Sequence, residues 1–154
     1  MTLISLYLQI GILLGYNTSL SIALQAKGAT YHNQALLSLL FLPMATKVLI
    51  APFVDSQFIQ KIGKCKTYIL VSGLLNSVLL LMLSYNIESY INKVNIWAIF
   101  THMLPIMVSV AFQDVAVDCW MLTILNFDQR PKGGIAIWFG LGFGWWIGYP
   151  MFTQ

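Results

Sequence analysis

The fold is decided by the stretch AFQDVAVDCW (residues 111–120), which sets two aspartates four residues apart in an otherwise apolar run. A carboxylate at the centre of a transmembrane helix costs about 2.5–3.5 kcal/mol on insertion scales. The i, i+4 spacing places Asp114 and Asp118 on one face of a helix. We therefore predict that this face turns toward protein or water and not toward lipid.

The composition is that of an integral membrane protein. Of 154 residues, 58% are hydrophobic and 8% are charged, whereas soluble domains carry about 25% charged residues. The net charge of +3 is small and is not gathered into a basic surface, so nucleic acid is not an expected partner. No motif for a metal or a cofactor is present, and we expect neither. Cys65 falls in a basic loop and Cys119 in a helix, so we expect no disulfide.

Five segments have about the 20 apolar residues that a spanning helix needs. They cover residues 2–24, 35–54, 68–85, 96–125 and 134–152. A soluble bundle would need a polar face on each helix, and the first, third and fifth segments have none. The first segment also lacks the basic start of a cleaved signal peptide. We predict an all-α polytopic transmembrane bundle of about five helices, forming one domain over residues 1–154.

Basic residues are distributed unevenly among the predicted loops. The second and fourth loops hold five of them, and the first and third hold two: Lys61, Lys64, Lys66, Arg130 and Lys132 against Lys27 and Lys93. The positive-inside rule places the second and fourth loops in the cytosol. The N-terminus is then also cytosolic.

The second loop contains a candidate gating motif. Asp55 closes the second segment, and Gly63, Lys64 and Lys66 open the third. Asp55 could pair with the basic residues or cap the next helix, and Gly63 suits a tight turn. A solvated, positively charged loop is the alternative interpretation.

Charged residues inside the second and fourth segments are candidates for substrate contact, since intramembrane ionisable groups are usually functional. Lys47 could reach toward the interface or pair with Asp114 or Asp118. The aspartates could carry protons, face substrate, serve as partners of Lys47 or, for Asp118, cap the cytosolic end of the helix. Gln113 adds a third polar group. A purely structural buried ion pair is the alternative.

Glycines at i, i+4 spacing predict close helix packing. Gly140, Gly144 and Gly148 form one series in the fifth segment, and Gly11 with Gly15 forms another in the first. No strand precedes these glycines, so a dinucleotide-binding loop is not indicated.

Together these residues resemble the acetyl-coenzyme A transporters of the endoplasmic reticulum membrane. The stretch QDVAVDCW (residues 113–120) is similar to that family's Gln-Asp-Ile-Ala-Val-Asp-Gly-Trp motif. Lys47 with the run PFVD (residues 52–55) and the loop GKCKTY (residues 63–68) match two further motifs. Cys65 replaces a basic residue of the family pattern and Cys119 replaces a glycine. The family's polar residues early in the fifth helix are replaced by IAIWF (residues 135–139).

The resemblance implies a major facilitator fold with two six-helix halves around a midplane site, of which this chain would supply an incomplete N-terminal half. It implies a non-enzymatic transporter moving acetyl-coenzyme A from the cytosol into the lumen of the endoplasmic reticulum. Because acetyl-coenzyme A is a polyanion, Lys47 is then a better candidate for substrate contact than Asp114 or Asp118. The bilayer and the missing C-terminal helices, or a partner subunit, would be its partners. The alternatives are a non-transporting membrane subunit or relic, or a transporter like the related bacterial muropeptide permeases.

Overall fold

Helices make up the fold of this computed structural model, which describes residues 2–56, 63–92, 95–125 and 130–150. No strand occurs in these ranges, so the predicted all-α class is confirmed. The helices are α1 (Thr2–Ala26), α2 (Tyr31–Ser38), α3 (Leu42–Ala45), α4 (Lys47–Ser56), α5 (Lys64–Asn92), α6 (Ile96–Ile124) and α7 (Arg130–Gly148), with a 3₁₀ turn at Leu39–Phe41.

Within the described residues, three helical stretches are long and apolar enough to cross a bilayer. They are Thr2–Ala26, Cys65–Ile87 and Ile96–Ile124, and they correspond to the first, third and fourth predicted segments. In the fifth segment, α7 is helical over 19 residues, but its glycines and tryptophans lower its hydropathy. The number of five spanning segments therefore stays a prediction.

The second predicted segment, whose apolar run is interrupted by Pro43 and Lys47, is not one continuous helix in the structure. It is divided into α2, the 3₁₀ turn, α3 and α4. Pro43 lies in the first turn of α3, where its missing N–H costs no intrahelical hydrogen bond. Thr46 then leaves helical geometry at φ −94° and ψ 20°, and its hydroxyl donates to the Leu42 carbonyl at 3.0 Å. The break makes Lys47 the first residue of α4.

The helices α1 and α7 pack in parallel through their glycines. A Cβ built on Gly11 would lie 3.0 Å from Gly144 Cα, and one built on Gly15 would lie 2.6 Å from the Trp145 carbonyl oxygen. One built on Gly140, earlier in α7, would lie 3.0 Å from the Ile4 carbonyl oxygen, earlier in α1. The two glycine series thus face each other and bring the two backbones into direct contact.

The helices α5 and α6 are antiparallel and joined by a disulfide. Cys65, near the start of α5, is bonded to Cys119, near the end of α6, with their Cα atoms 5.9 Å apart. At the other end, the rings of Tyr90 and His102 lie 5.4 Å apart. The expectation of no disulfide was wrong, because it considered the local surroundings of each cysteine and not the antiparallel packing that brings the two together.

The length of α5 allows a test of the predicted membrane topology. The 29 residues of α5 extend about 43 Å at 1.5 Å per residue, which exceeds the bilayer core of about 30 Å. We expect Ser56, at the end of α4, and Ser89, near the end of α5, to lie on opposite sides. In a Cys65→Ser/Cys119→Ser background, Ser56→Cys and Ser89→Cys should react with an impermeant maleimide from the cytosolic and the far side, respectively. Labelling of both from one side would contradict this topology.

Candidate functional site

Polar side chains from four helices are joined by hydrogen bonds and an ion pair. We call this set the polar interior. Its members come from α1, α4, α5 and α6: Tyr7, Gln9, Lys47, Asn76, Gln113, Asp114 and Asp118. Polar and ionisable groups inside a membrane protein are retained mainly where function needs them. The polar interior is therefore the candidate site.

The helix α6 supplies three members of the polar interior. Gln113 is fully buried and Asp114 is 2% exposed, while Asp118, one turn further on, is partly exposed. Apolar neighbours such as Val110 and Val117 are fully buried on the same helix. The polar groups are thus held by a rigid helix packed on several sides, and not by a loop.

Asp114 forms an ion pair with Lys47, the first residue of α4. The two side chains differ in exposure, since that of Asp114 is 3% exposed and that of Lys47 is 41% exposed. No hydrogen bond from a described residue reaches the paired carboxylate oxygen, Asp114 Oδ2. The lysine ammonium is therefore the described group that compensates this buried charge. Of the partners left open by the sequence, the structure brings Lys47 to Asp114.

Asp118 is tied to α1 instead. The Tyr7 hydroxyl donates to Asp118 Oδ1 and lies 3.8 Å from the Met121 sulfur. Tyr7 is itself fully buried. The two aspartates of one helix face therefore have different partners: a cation on α4 for Asp114 and a phenol on α1 for Asp118.

A chain of amide side chains crosses three helices through Gln113, the residue before Asp114. Asn76 Nδ2 on α5 donates to Gln113 Oε1 at 3.0 Å, and Gln113 Nε2 donates to Gln9 Oε1 on α1 at 3.3 Å. Gln113 uses both ends of its amide, so it is fixed in orientation next to Asp114. The network spans α5, α6 and α1 through this one side chain.

Sequence reasoning missed Tyr7, Gln9 and Asn76 as members of the site. Asn76 lies alone in an apolar stretch of α5, and Gln9 lies in a segment without charges. A lone amide in a spanning segment is costly unless it is hydrogen-bonded. That cost is the signal that could have pointed to both residues. Tyr7 gives no such signal, because tyrosines are common near membrane interfaces.

The predicted gating motif is only partly described. Gly63 adopts φ +92° just before α5, a conformation that favours glycine, and the side chain of Lys66 is exposed. The side chains of Asp55 and Lys64, and the whole of residues 57–62, lie outside the described part of the structure. The role of this motif as a gate stays a prediction.

An apolar cavity of about 540 Å³ lies away from the polar interior, on the outer face of α7. It is lined by Trp138, Phe139, Gly142, Phe143 and Trp146. All five belong to one helix, and a Cβ added to Gly142 would meet nothing within 4 Å. Its described lining residues include no ionisable group, so this aromatic face is not the candidate site.

Long apolar helices folded around buried charged and amide side chains define a polytopic membrane protein with a polar interior. The comparisons with known proteins agree with this class and narrow it. The chain belongs to the family described as acetyl-coenzyme A transporter 1, whose model matches residues 1–154.

Two fungal relatives are similar to this chain. An uncharacterised protein of Schizosaccharomyces pombe is 32% identical over 126 residues, covering 79% of this chain and 24% of the relative. An uncharacterised membrane protein of Saccharomyces cerevisiae is 25% identical over 146 residues, covering 84% of this chain and 26% of the relative. The chain thus spans about a quarter of the length of these relatives. No solved structure matches it.

Proposed function

We propose that this chain is the N-terminal part of a transporter that moves acetyl-coenzyme A from the cytosol into the lumen of the endoplasmic reticulum. The observation that carries the proposal is the match of the whole chain to the acetyl-coenzyme A transporter 1 family. Such a transporter is not an enzyme and needs no metal or cofactor. Its partners are acetyl-coenzyme A and the lipid bilayer.

The ion pair of the polar interior suits a polyanionic substrate. The Lys47 side chain is 41% exposed although its partner is almost fully buried, so this lysine is the member of the pair that an incoming group can reach. A phosphate could form charge-assisted hydrogen bonds with its ammonium. We infer that Lys47 contacts a substrate phosphate and that Asp114 holds the lysine in position when no substrate is bound.

Alternating access needs more than the residues described here. Transporters of the major facilitator type move two repeats around a shared midplane site, and this chain matches about a quarter of its relatives' length. We propose that the remaining helices of a longer protein, or a partner subunit, complete the site. The motif of Asp55, Gly63, Lys64 and Lys66 would then stabilise one state of the gate, and Asp118 with Gln113 would position the moving helices.

The test is uptake of labelled acetyl-coenzyme A into sealed vesicles that carry the longer protein. We expect saturable uptake that excess unlabelled acetyl-coenzyme A abolishes and that a muropeptide leaves unchanged. Empty vesicles are the control. Saturable uptake of a labelled muropeptide without uptake of acetyl-coenzyme A would favour a muropeptide permease, and absence of saturable uptake of either labelled compound would favour a non-transporting subunit.

A further inference from the structure

Cys65 and Cys119 form a cross-link whose position conflicts with the predicted topology. They are the two cysteines of the chain, they lie 54 residues apart, and they join the first turn of α5 to the last turns of α6. Cys65 stands between Lys64 and Lys66 in the basic stretch that the positive-inside rule places in the cytosol. Cytosolic thiols are kept reduced, and the disulfides found there are usually transient.

The cross-link lies next to the polar interior. Cys119 directly follows Asp118, which accepts the hydrogen bond of Tyr7 on α1. Thr67, two residues after Cys65, is anchored by its hydroxyl to the Gly63 carbonyl at 2.8 Å. The disulfide therefore joins the start of α5 to the turn of α6 in which Asp118 accepts a hydrogen bond from Tyr7 of α1.

The two cysteine residues also differ in exposure. Cys65 is 6% exposed, whereas Cys119 is partly exposed. Cys119 is therefore the residue that a small oxidant reaches more easily. Cys65 lies within bonding distance and can act as the resolving thiol. This arrangement of one accessible and one resolving cysteine is typical of redox-sensitive pairs.

We propose that Cys65 and Cys119 are a reversible oxidation site for peroxide, which opens and closes a clamp between α5 and α6. The Cys119 thiol attacks hydrogen peroxide, the O–O bond breaks, and a sulfenic acid and one water form. The Cys65 thiol then displaces the sulfenic hydroxyl, giving the disulfide and a second water. Two small-molecule thiols reverse the reaction by thiol–disulfide exchange and leave as their own disulfide. The proposal does not depend on acetyl-coenzyme A being the substrate.

The closed clamp restrains the end of α6. In the oxidised form, Asp118 cannot move away from α1 without also moving the start of α5. In the reduced form, α5 and α6 remain packed but can separate at this end. We therefore expect oxidation to slow hydrogen exchange of the backbone amides around residues 119–125.

Thiol counting tests the proposal on the chain in its native membrane. Membranes are quenched in acid, unfolded in detergent and treated with a large maleimide that shifts the chain on a gel. We expect two tags per chain in untreated membranes, none after peroxide and two again after a reducing thiol. Residues 1–154 hold two cysteines, so their tags are counted as the difference from the double variant Cys65→Ser/Cys119→Ser. Two single variants are the controls, and both should stay in the monomer band. Cys119→Ser should keep its one tag after peroxide, whereas Cys65→Ser should lose its tag, because the Cys119 sulfenic acid has no resolving thiol, and should regain it after the reducing thiol.

Three results would overturn the proposal. No tags before peroxide would mean a permanent bond. Two tags after peroxide would mean that the thiols do not close. Loss of tags with formation of cross-linked dimers would mean that the reaction joins two chains. None of these results bears on acetyl-coenzyme A uptake, so the two proposals fail separately.

Discussion

Replacing Lys47 with methionine is expected to lower the free energy of unfolding by about 3–5 kcal/mol, the usual cost of removing one partner from a buried ion pair. The side chain of Asp114 is 3% exposed, and no described residue donates a hydrogen bond to its paired oxygen. Loss of the ammonium would therefore leave a carboxylate buried without compensation. The measurement is unfolding of the purified chain by SDS titration in mixed micelles.

Replacing Asp114 should cost less than replacing Lys47, because the Lys47 side chain is partly exposed. Asp114→Leu leaves an ammonium whose side chain is 41% exposed and can turn toward water. The double variant Lys47→Met/Asp114→Leu should return to within about 1 kcal/mol of the natural chain, since apolar replacement of a buried pair is often neutral. Lys132→Met, at an exposed position, is the matched control. Equal losses for both single variants that simply add in the double variant would contradict the pair.

Substitution of Gly144 is expected to separate α1 from α7. A Cβ built there would lie 2.9 Å from Gly11 Cα and 3.0 Å from the Ile12 nitrogen, and backbone atoms cannot move aside as a flexible side chain can. Overpacking of this kind costs about 1–3 kcal/mol, so Gly144→Ala should lower stability in the same SDS titration by that amount.

Gly142→Ala is the control on the same helix. It adds the same methyl group two residues away, where a Cβ would meet nothing within 4 Å. Its stability should be unchanged or slightly raised, because alanine favours helix more than glycine does. If both alanine variants behaved alike, the close contact of α1 with α7 would not be what stabilises this pair of helices.

The sequence predicts those features that depend on spacing along one helix. The i, i+4 aspartates of α6 and the two glycine series are of this kind, and the limits of α6 agree with the predicted segment within a residue. The position of the break, just before Lys47, could not be predicted. It depends on the hydrogen bonds that the Thr46 hydroxyl donates to the carbonyls of Leu42 and Pro43. A segment with the same composition could remain one kinked helix.

Contacts between helices could be predicted only as alternatives. The sequence offered Asp114 and Asp118 as partners of Lys47, and the choice depends on the rotation of α4 against α6. The pairing of Cys65 with Cys119 depends on the antiparallel register of α5 and α6, and the amide chain through Gln113 depends on three helices at once. No local pattern encodes such a register.

The most direct test of the account is acetyl-coenzyme A uptake by the longer protein carrying Lys47→Met/Asp114→Leu. This double variant should fold, because no charge is left unpaired, and so it separates the role of Lys47 in substrate contact from its role in stability. We predict that uptake falls by about tenfold or more, corresponding to the loss of a charged contact worth about 1.4 kcal/mol, while Lys132→Met transports normally. Normal uptake by the folded double variant would show that the ion pair is only structural and would contradict the account.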